Sequence, residues 1–289
     1  MDISEKRARF KRTILSDEMT VLCGAFDGIT AKLVQYIGFD GCYMGGQAAA
    51  ASMLGVPDIG LVTAEEQIKH ARDLAACADL PFVIDADTGY GNALNARRTL
   101  SGLESAGIYG AHFEDQVTPK RCGGMTGVQL EPMDTYIKKL DTLIKFRNDP
   151  NFLIIARTDA GSVCGLDEAI RRANLMADAG ADMIFYGHIL NDLDEIKRVC
   201  DETRAPVMYC LMEFRRDVCF KLSDLRNAGV KAVIWPNGLL MRWFKAAYDL
   251  MTEFKKSGDC GAFFDELMPV ERCNEIMDIK GWNPPGMFE

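Results

Sequence analysis

The chain has 289 residues, 48% of them hydrophobic, and a formal net charge of −9. That length and apolar share can build one large core, while the acidic balance argues against nucleic acid or an anionic membrane surface as partner and favours a small molecule. No apolar stretch reaches the roughly 18 residues that a membrane helix needs, and ten cysteines without a C-x-x-C pair offer no zinc-cluster spacing and suit a reducing, cytoplasmic setting.

In chain order, the basic start with its early Asp2 and Glu5 reads as a solvated first helix rather than a signal or transit segment. Apolar runs follow at 21–24, 41–44, 82–86, 111–114, 152–156, 183–186, 207–211 and 232–235, and these are the expected strands. Helical patterns lie between them at 64–77, 94–106, 133–146, 166–179, 192–201, 217–227 and 239–255. Most of the runs lack strict alternation, as strands buried on both faces of a parallel sheet do. Eight such units predict an α/β fold, a closed (β/α)8 TIM barrel, as one domain over residues 1–289. The joints carrying Gly38, Gly107, Gly180 and Gly229 each supply a residue able to end a helix in the left-handed conformation, and they would also serve an open doubly wound sheet. From about residue 257 to 289 the pattern changes, and the segment reads as a helical arm lying on a neighbouring subunit or on its own barrel.

In a barrel of this kind the site forms at the carboxyl ends of the strands, so the polar residues that follow each apolar run are inspected together. They are Asp85 and Asp87, then Glu114-Asp115-Gln116, Arg157-Thr158-Asp159, and Glu213 with Arg215 and Arg216. Several carboxylates converging on one mouth repel unless a cation compensates them, and an oxygen-only set suits Mg²⁺ or Mn²⁺. The alternative is ion pairing with Arg157 and Lys120. Between the fourth strand and the next helix, Thr118-Pro-Lys-Arg-Cys-Gly-Gly-Met-Thr-Gly127 reads as a lid. Within it, Lys120 and Arg121 would favour the thiolate of Cys122, making it a proton donor or nucleophile, although a lone loop cysteine is more often incidental. His70 reads as solvated, His112 as a satisfied core histidine or a residue behind the metal, and His188 as a strand-end residue without metal-ligand spacing. Gly45-Gly46 and Gly89-Tyr-Gly91 would let backbone amides approach an anion, and no dinucleotide or P-loop pattern occurs.

Taken in order, Phe26-Asp-Gly28, Cys42-Tyr-Met-Gly-Gly46, Gly55-Val-Pro-Asp58, Asp85-Ala-Asp-Thr-Gly-Tyr-Gly91, His112-Phe-Glu-Asp-Gln116, Pro119-Lys-Arg-Cys-Gly123, Ala156-Arg-Thr-Asp-Ala160 and Glu213-Phe214 resemble the isocitrate lyase and phosphoenolpyruvate mutase superfamily. Within it they resemble the methylisocitrate lyase, dimethylmalate lyase and oxaloacetate hydrolase branch. The resemblance implies a barrel whose last helix is exchanged between subunits of a homotetramer. It also implies Mg²⁺ at Asp85, directly or through water, with Asp58, Asp87 and Glu114 nearby, and a carboxylic acid substrate paired with Arg157. Lys120, Arg121 and Cys122 would form the catalytic loop, with Cys122 protonating the carbanion left by bond cleavage. Tyr43, Gly45, Gly46, Asp58, Gly123, Gly124, Cys210, Met212 and Glu213 are the expected substrate contacts. Three departures concern the substrate side: Gly124 replaces a histidine, Cys210 and Met212 replace asparagine and threonine, and Gly45 replaces a serine.

The expected activity is therefore a carbon–carbon lyase on a substituted 2-hydroxy or 2-oxo acid with fewer carboxylates than methylisocitrate and a bulkier or more apolar arm. Hydrolysis or decarboxylation of an oxaloacetate-like acid is the alternative within enzymes. A barrel that binds a metabolite, or serves as an assembly subunit without turnover, is the alternative outside them.

Overall fold

Short strands that are apolar on both faces hide all their surface only when one face meets a ring of helices and the other meets its own kind. In the computed structural model, which describes residues 2–187, 190–211, 213, 215 and 218–283, eight strands do this. They are β1 (Thr20–Gly24), β2 (Gly41–Met44), β3 (Phe82–Asp85), β4 (Gly110–Glu114), β5 (Leu153–Thr158), β6 (Met183–Tyr186), β7 (Val207–Cys210) and β8 (Ala232–Trp235). All neighbours pair in parallel, and β8 returns to β1 to close the barrel. The helices are α1 (Ile3–Ile14), α2 (Gly28–Ile37), α3 (Gly46–Leu54), α4 (Ala64–Cys77), α5 (Ala93–Ser105), α6 (Met133–Phe146), α7 (Ala160–Cys164), α8 (Leu166–Asp178), α9 (Leu193–Glu202), α10 (Leu222–Asn227) and α11 (Gly238–Ser257). A 3-10 segment (Cys260–Glu266), α12 (Val270–Ile276) and α13 (Ile279–Trp282) follow.

The expected barrel is what folds, and the four joint glycines take positive φ of 91°, 81°, 102° and 95° at Gly38, Gly107, Gly180 and Gly229. Three helices within the barrel, α2, α3 and the short α7, were not among those expected. Asp27 and Thr30 form a capping box that starts α2, whereas α3 begins at Gly45 without any side-chain cap. Asp217, the expected start of helix 217–227, lies outside the described residues. Among the described residues no helix is long and apolar enough to cross a membrane.

The first helix corrects the reading of its segment as solvated. Asp2 and Glu5 do form a capping box, but Phe10 and Ile14 are buried with the residues of the barrel interior, among them Leu22, Leu153, Met183 and Met208. Arg7 donates to the carbonyls of Glu104 (2.7 Å) and Ile108 (2.8 Å), and Phe10 meets Tyr109 edge-on at 5.7 Å. α1 is therefore a plug at the amino end of the barrel. Phe10→Ala should lower stability by about 3 kcal/mol in denaturant titration, while the opposite end of the barrel keeps its geometry.

At the other terminus the arm touches its own barrel. Tyr36 of α2 donates to Glu275 of α12 at 2.9 Å and lies under the Arg272 guanidinium at 5.0 Å, and Ile276 is buried. α11 leaves Trp243, Phe244, Tyr248 and Met251 more than half exposed.

Candidate active site

Strand register brings the chemistry together. Asp85 pairs with His112 across β3 and β4, and Glu114 pairs with Arg157 across β4 and β5, so all four side chains enter the carboxyl mouth side by side. Two backbone amides aim the Asp85 carboxylate: Gly46 N donates to Oδ2 at 3.2 Å and Asp87 N to Oδ1 at 2.9 Å. Reaching back in this way puts Asp87 in the left-handed region, at φ 48°. Gly46 lets the cluster close on the backbone, because a Cβ would stand 3.0 Å from Lys120 Nζ, 3.1 Å from Asp85 Oδ2 and 3.3 Å from Asp58 Oδ1 and would push those groups aside.

Two cations serve five carboxylates. Lys120 Nζ lies 2.6 Å from Asp58 and 2.7 Å from Asp87. Arg157 donates Nε and Nη2 to Asp159 at 3.1 Å each, while its Nη1 stands 3.2 Å from Glu114 and 3.8 Å from Asp85. Burial alone would raise the Asp85 carboxyl, but His112, Lys120 and Arg157 overcome it and hold Asp85 well below the usual carboxylate range. At neutral pH the two permanent cations carry that effect, since burial lowers His112 to about 4. The rest of the cluster is short of positive charge. Burial, with Asp85 and Asp58 alongside, pushes Asp87 up to about 7 against the pull of Lys120, and burial raises Glu114 well above its ordinary value.

A divalent cation fits that shortfall. Glu114 is fully buried, and its Oε1 has no hydrogen-bond partner. Among the described residues, however, no three His, Cys, Asp or Glu side chains converge closely enough to hold a metal ion by themselves. The expected ligand trio of Asp85, Asp87 and Glu114 is thus not a closed cage, because Lys120 engages Asp87 and Arg157 engages one oxygen of Glu114. That arrangement suits magnesium, which keeps several waters and takes only one or two carboxylates directly. Behind Asp85, His112 Nδ1 lies 3.5 Å from Oδ1, and its Nε2 shares a 2.7 Å hydrogen bond with Tyr43 Oη. His112 is therefore both a core histidine and a neighbour of the proposed metal side chain.

The loop after β4 closes over this cluster. Gln116 pins its neck by accepting from Arg121 N and donating to Arg121 O, each at 2.9 Å, and Cys122 N donates to Asp58 O at 3.3 Å. Gly123 lies so close that a Cβ would meet Gly187 O at 2.5 Å, Asp159 Oδ1 at 2.6 Å and Arg157 Nη2 at 2.8 Å. Beneath the loop is a cavity of about 70 Å³ lined by Asp85, Arg157 and Cys122, together with Tyr43, Gly45, Gly46, Asp58, Gly123, Gly124 and Cys210. Burial raises the Cys122 thiol despite Arg157 and Lys120, so the cysteine is held as the thiol and not, as the flanking charges suggested, as the thiolate.

Those strand-end motifs have counterparts in known proteins. Residues 10–255 match the model of the phosphoenolpyruvate phosphomutase family. The chain belongs to that family. It is 35% identical to a probable 2-methylisocitrate lyase 1 of Corynebacterium glutamicum, over 98% of this chain and 92% of the relative. It is 34% identical to 2,3-dimethylmalate lyase of Eubacterium barkeri, over 94% of each chain. Its fold superposes on oxaloacetate acetylhydrolase solved with 3,3-difluorooxalacetate at a TM-score of 0.89 and 26% identity, covering 96% of this chain and 94% of that one. The relatives named in this phosphomutase and isocitrate lyase superfamily are thus lyases and a hydrolase.

Some expected residues of this family member stand elsewhere. Arg121 is exposed, and its Nη1 donates to Thr126 O at 3.2 Å, away from the cavity. Glu213 does not line the cavity, and its Oε1 accepts from Asn237 N and Gly238 N at 2.7 Å each, capping α11. Met212, His188, Phe214 and Arg216 lie outside the described residues. His70 corrects its reading as solvated, because its Nε2 is buried without a partner and burial lowers its pKa. Four further residues belong to the site: Asp159 as the bidentate partner of Arg157, Phe185 under the guanidinium at 5.2 Å, and Gln47 with Asn237 on the cavity wall. Gln47 and Asn237 follow β2 and β8 directly, so the strand-end rule applied to every strand would have included them.

The charge shortfall has a measurable consequence. Asp87 binds its proton more tightly folded, near 7, than at the ordinary 3.8. Its contribution is therefore fully present below the unfolded value and lost as pH rises through about 7. In EDTA the melting temperature should fall by several degrees between pH 6 and pH 8, on the order of the effect of one or two kcal/mol. Adding Mg²⁺ should restore more of it at pH 8 than at pH 6, and calorimetric scans at the two pH values check both statements.

Proposed function

We propose that this protein is a divalent-metal-dependent carbon–carbon lyase acting on a compact 2-hydroxy or 2-oxo carboxylic acid. The observation that carries the reading is that Cys122, whose thiol burial raises, lines the same small cavity as Asp85 and Arg157. Magnesium, or manganese, held at Asp85 with Asp87 and Glu114 close by, would supply Lewis-acid stabilisation of the charge that develops on the substrate. Arg157 offers a fixed positive charge to a substrate carboxylate, aimed before reaction by Asp159. Lys120 pairs with both Asp58 and Asp87 and is the cation nearest to them. Cys122 gives its proton to the carbanion that bond cleavage leaves, and the thiolate is reprotonated through solvent, which takes up the proton that a 2-hydroxyl releases as its oxygen becomes a carbonyl.

The cavity wall supports the substrate class. With Gly45, Gly124 and Cys210 on it, the wall offers few donors for the additional carboxylate of a tricarboxylate. Incubating 2-hydroxy and 2-oxo acids with enzyme and Mg²⁺, with mass detection of products, tests this reading. Two carbon fragments from a dicarboxylate are expected, and EDTA should abolish them. Methylisocitrate turned over at ordinary efficiency would overturn the substrate assignment. Oxalate and acetate from oxaloacetate would establish the hydrolase reading that the likeness to oxaloacetate acetylhydrolase favours, and no product from any acid would leave a metabolite-binding or assembly subunit. The same reading includes a homotetramer, with the exposed apolar residues of α11 covered by a second copy, and light scattering in solution tests it.

A further inference from the structure

Strands β2 and β8 both flank β1, so the residues that follow them stand together at the mouth. Gln47 lies in the first turn of α3 and Asn237 precedes α11, and Asn237 Nδ2 donates to Gln47 Oε1 at 3.2 Å. Both side chains line the cavity that holds Asp85, Arg157 and Cys122. Asn237 is 7% exposed, and its Oδ1 is buried with no partner. The side chain has no easy retreat, since Asn237 N donates to Glu213 Oε1 at 2.7 Å and Asn237 O accepts from Met241 N at 2.8 Å. If both amides are turned over, the pair still makes one hydrogen bond and still leaves Asn237 one polar atom without a partner.

We propose that the Gln47–Asn237 pair is a specificity site for a neutral hydrogen-bonding group, a hydroxyl or carboxamide, on the outer arm of the substrate. The pair carries no charge, and the guanidinium of Arg157 already faces Asp159 and Glu114, so a carboxylate placed against the amides stays uncompensated. An alkyl arm fits no better, because it leaves the buried Asn237 amide unmet among Ile234, Pro236 and Cys210. A group that gives a hydrogen bond to Asn237 Oδ1 completes the wall, and a hydroxyl or carboxamide does so without bringing a charge. This reading differs from the expected bulkier or more apolar arm, and it rests on the proposed function only in taking the occupant to be a substituted 2-hydroxy acid.

Three malates carrying hydroxymethyl, ethyl or carboxymethyl at the third carbon differ only in that arm. Their affinities in Mg²⁺ buffer can be measured by calorimetry on the wild type, Asn237→Leu and Gln47→Leu. The hydroxymethyl acid should bind the wild type on the order of tenfold to a hundredfold more tightly than the ethyl acid. Both variants should erase that preference, and if Asn237→Leu does not fold, Gln47→Leu makes the comparison. Equal wild-type affinities, a preference retained in the variants, or no binding by any of the three overturns the proposal. Product analysis on the same samples separates the two readings. A binding preference without cleavage supports the amide site and removes the lyase assignment, whereas equal binding with cleavage does the reverse.

Discussion

Arg157→Met should unfold at a lower denaturant concentration by about 3–5 kcal/mol and lose at least about a thousandfold in turnover. The guanidinium is 7% exposed and is the charge opposite Asp159, Glu114 and, at 3.8 Å, Asp85. Removing it leaves three buried carboxylates with less compensation than before, and that penalty exceeds the value of any one pair because desolvation is already complete. Asp159 makes the assignment separable. Its two oxygens hold Nε and Nη2, so adding Asp159→Asn to Arg157→Met removes one of the stranded charges. The double variant should recover part of the lost stability and none of the lost turnover. A guanidinium titration of the four proteins, with kcat/KM on each, forms the cycle. Recovery of turnover along with stability would mean that Arg157 acts only as scaffold.

How far these features were legible depends on whether they are written locally. Eight strands were legible because burial on both faces leaves a short apolar run, and the helix-ending glycines mark where each unit turns back. The acidic tips were legible for the same reason, as polar residues that immediately follow such runs. Pairing was not. Lys120 and Arg121 are adjacent and both cationic, yet the loop sends Lys120 inward to Asp58 and Asp87 and Arg121 outward to Thr126. That choice is made by the grip of Gln116 on the Arg121 backbone, which no periodicity encodes. Asp87 at φ 48° and Tyr90 at φ 61° likewise take left-handed backbone that no periodicity announces, tolerated by Asp and uncommon for a bulky Tyr. The first helix was misread for a related reason: counting its charges hid Phe10 and Ile14, whose i, i+4 spacing is the apolar stripe that closes the barrel.

Cys122→Ser should lower kcat by about a hundredfold to ten-thousandfold, the usual worth of a positioned acid, with little change in melting temperature. The thiol sits on a loop whose place is fixed by neighbours, through Gln116 on Arg121 and Gly123 against Arg157, so a hydroxyl of similar size keeps the fold. What changes is proton transfer. Burial, the largest influence on the Cys122 thiol, raises it above the ordinary value of 9.0, and Arg157 and Lys120 only partly offset that. An acid must be protonated to act, so wild-type kcat should be flat through neutral pH and fall only as pH rises above 9.0 toward the raised value. A nucleophile would show the opposite limb, gaining rate as the thiolate forms. The pH profile therefore separates the two roles on one protein, and the serine variant, having no group that titrates in this range, should lose the alkaline limb together with the rate. Unchanged kcat in the serine variant, or a wild-type rate that climbs toward high pH, would remove Cys122 as the acid and leave the proton to another group at the mouth.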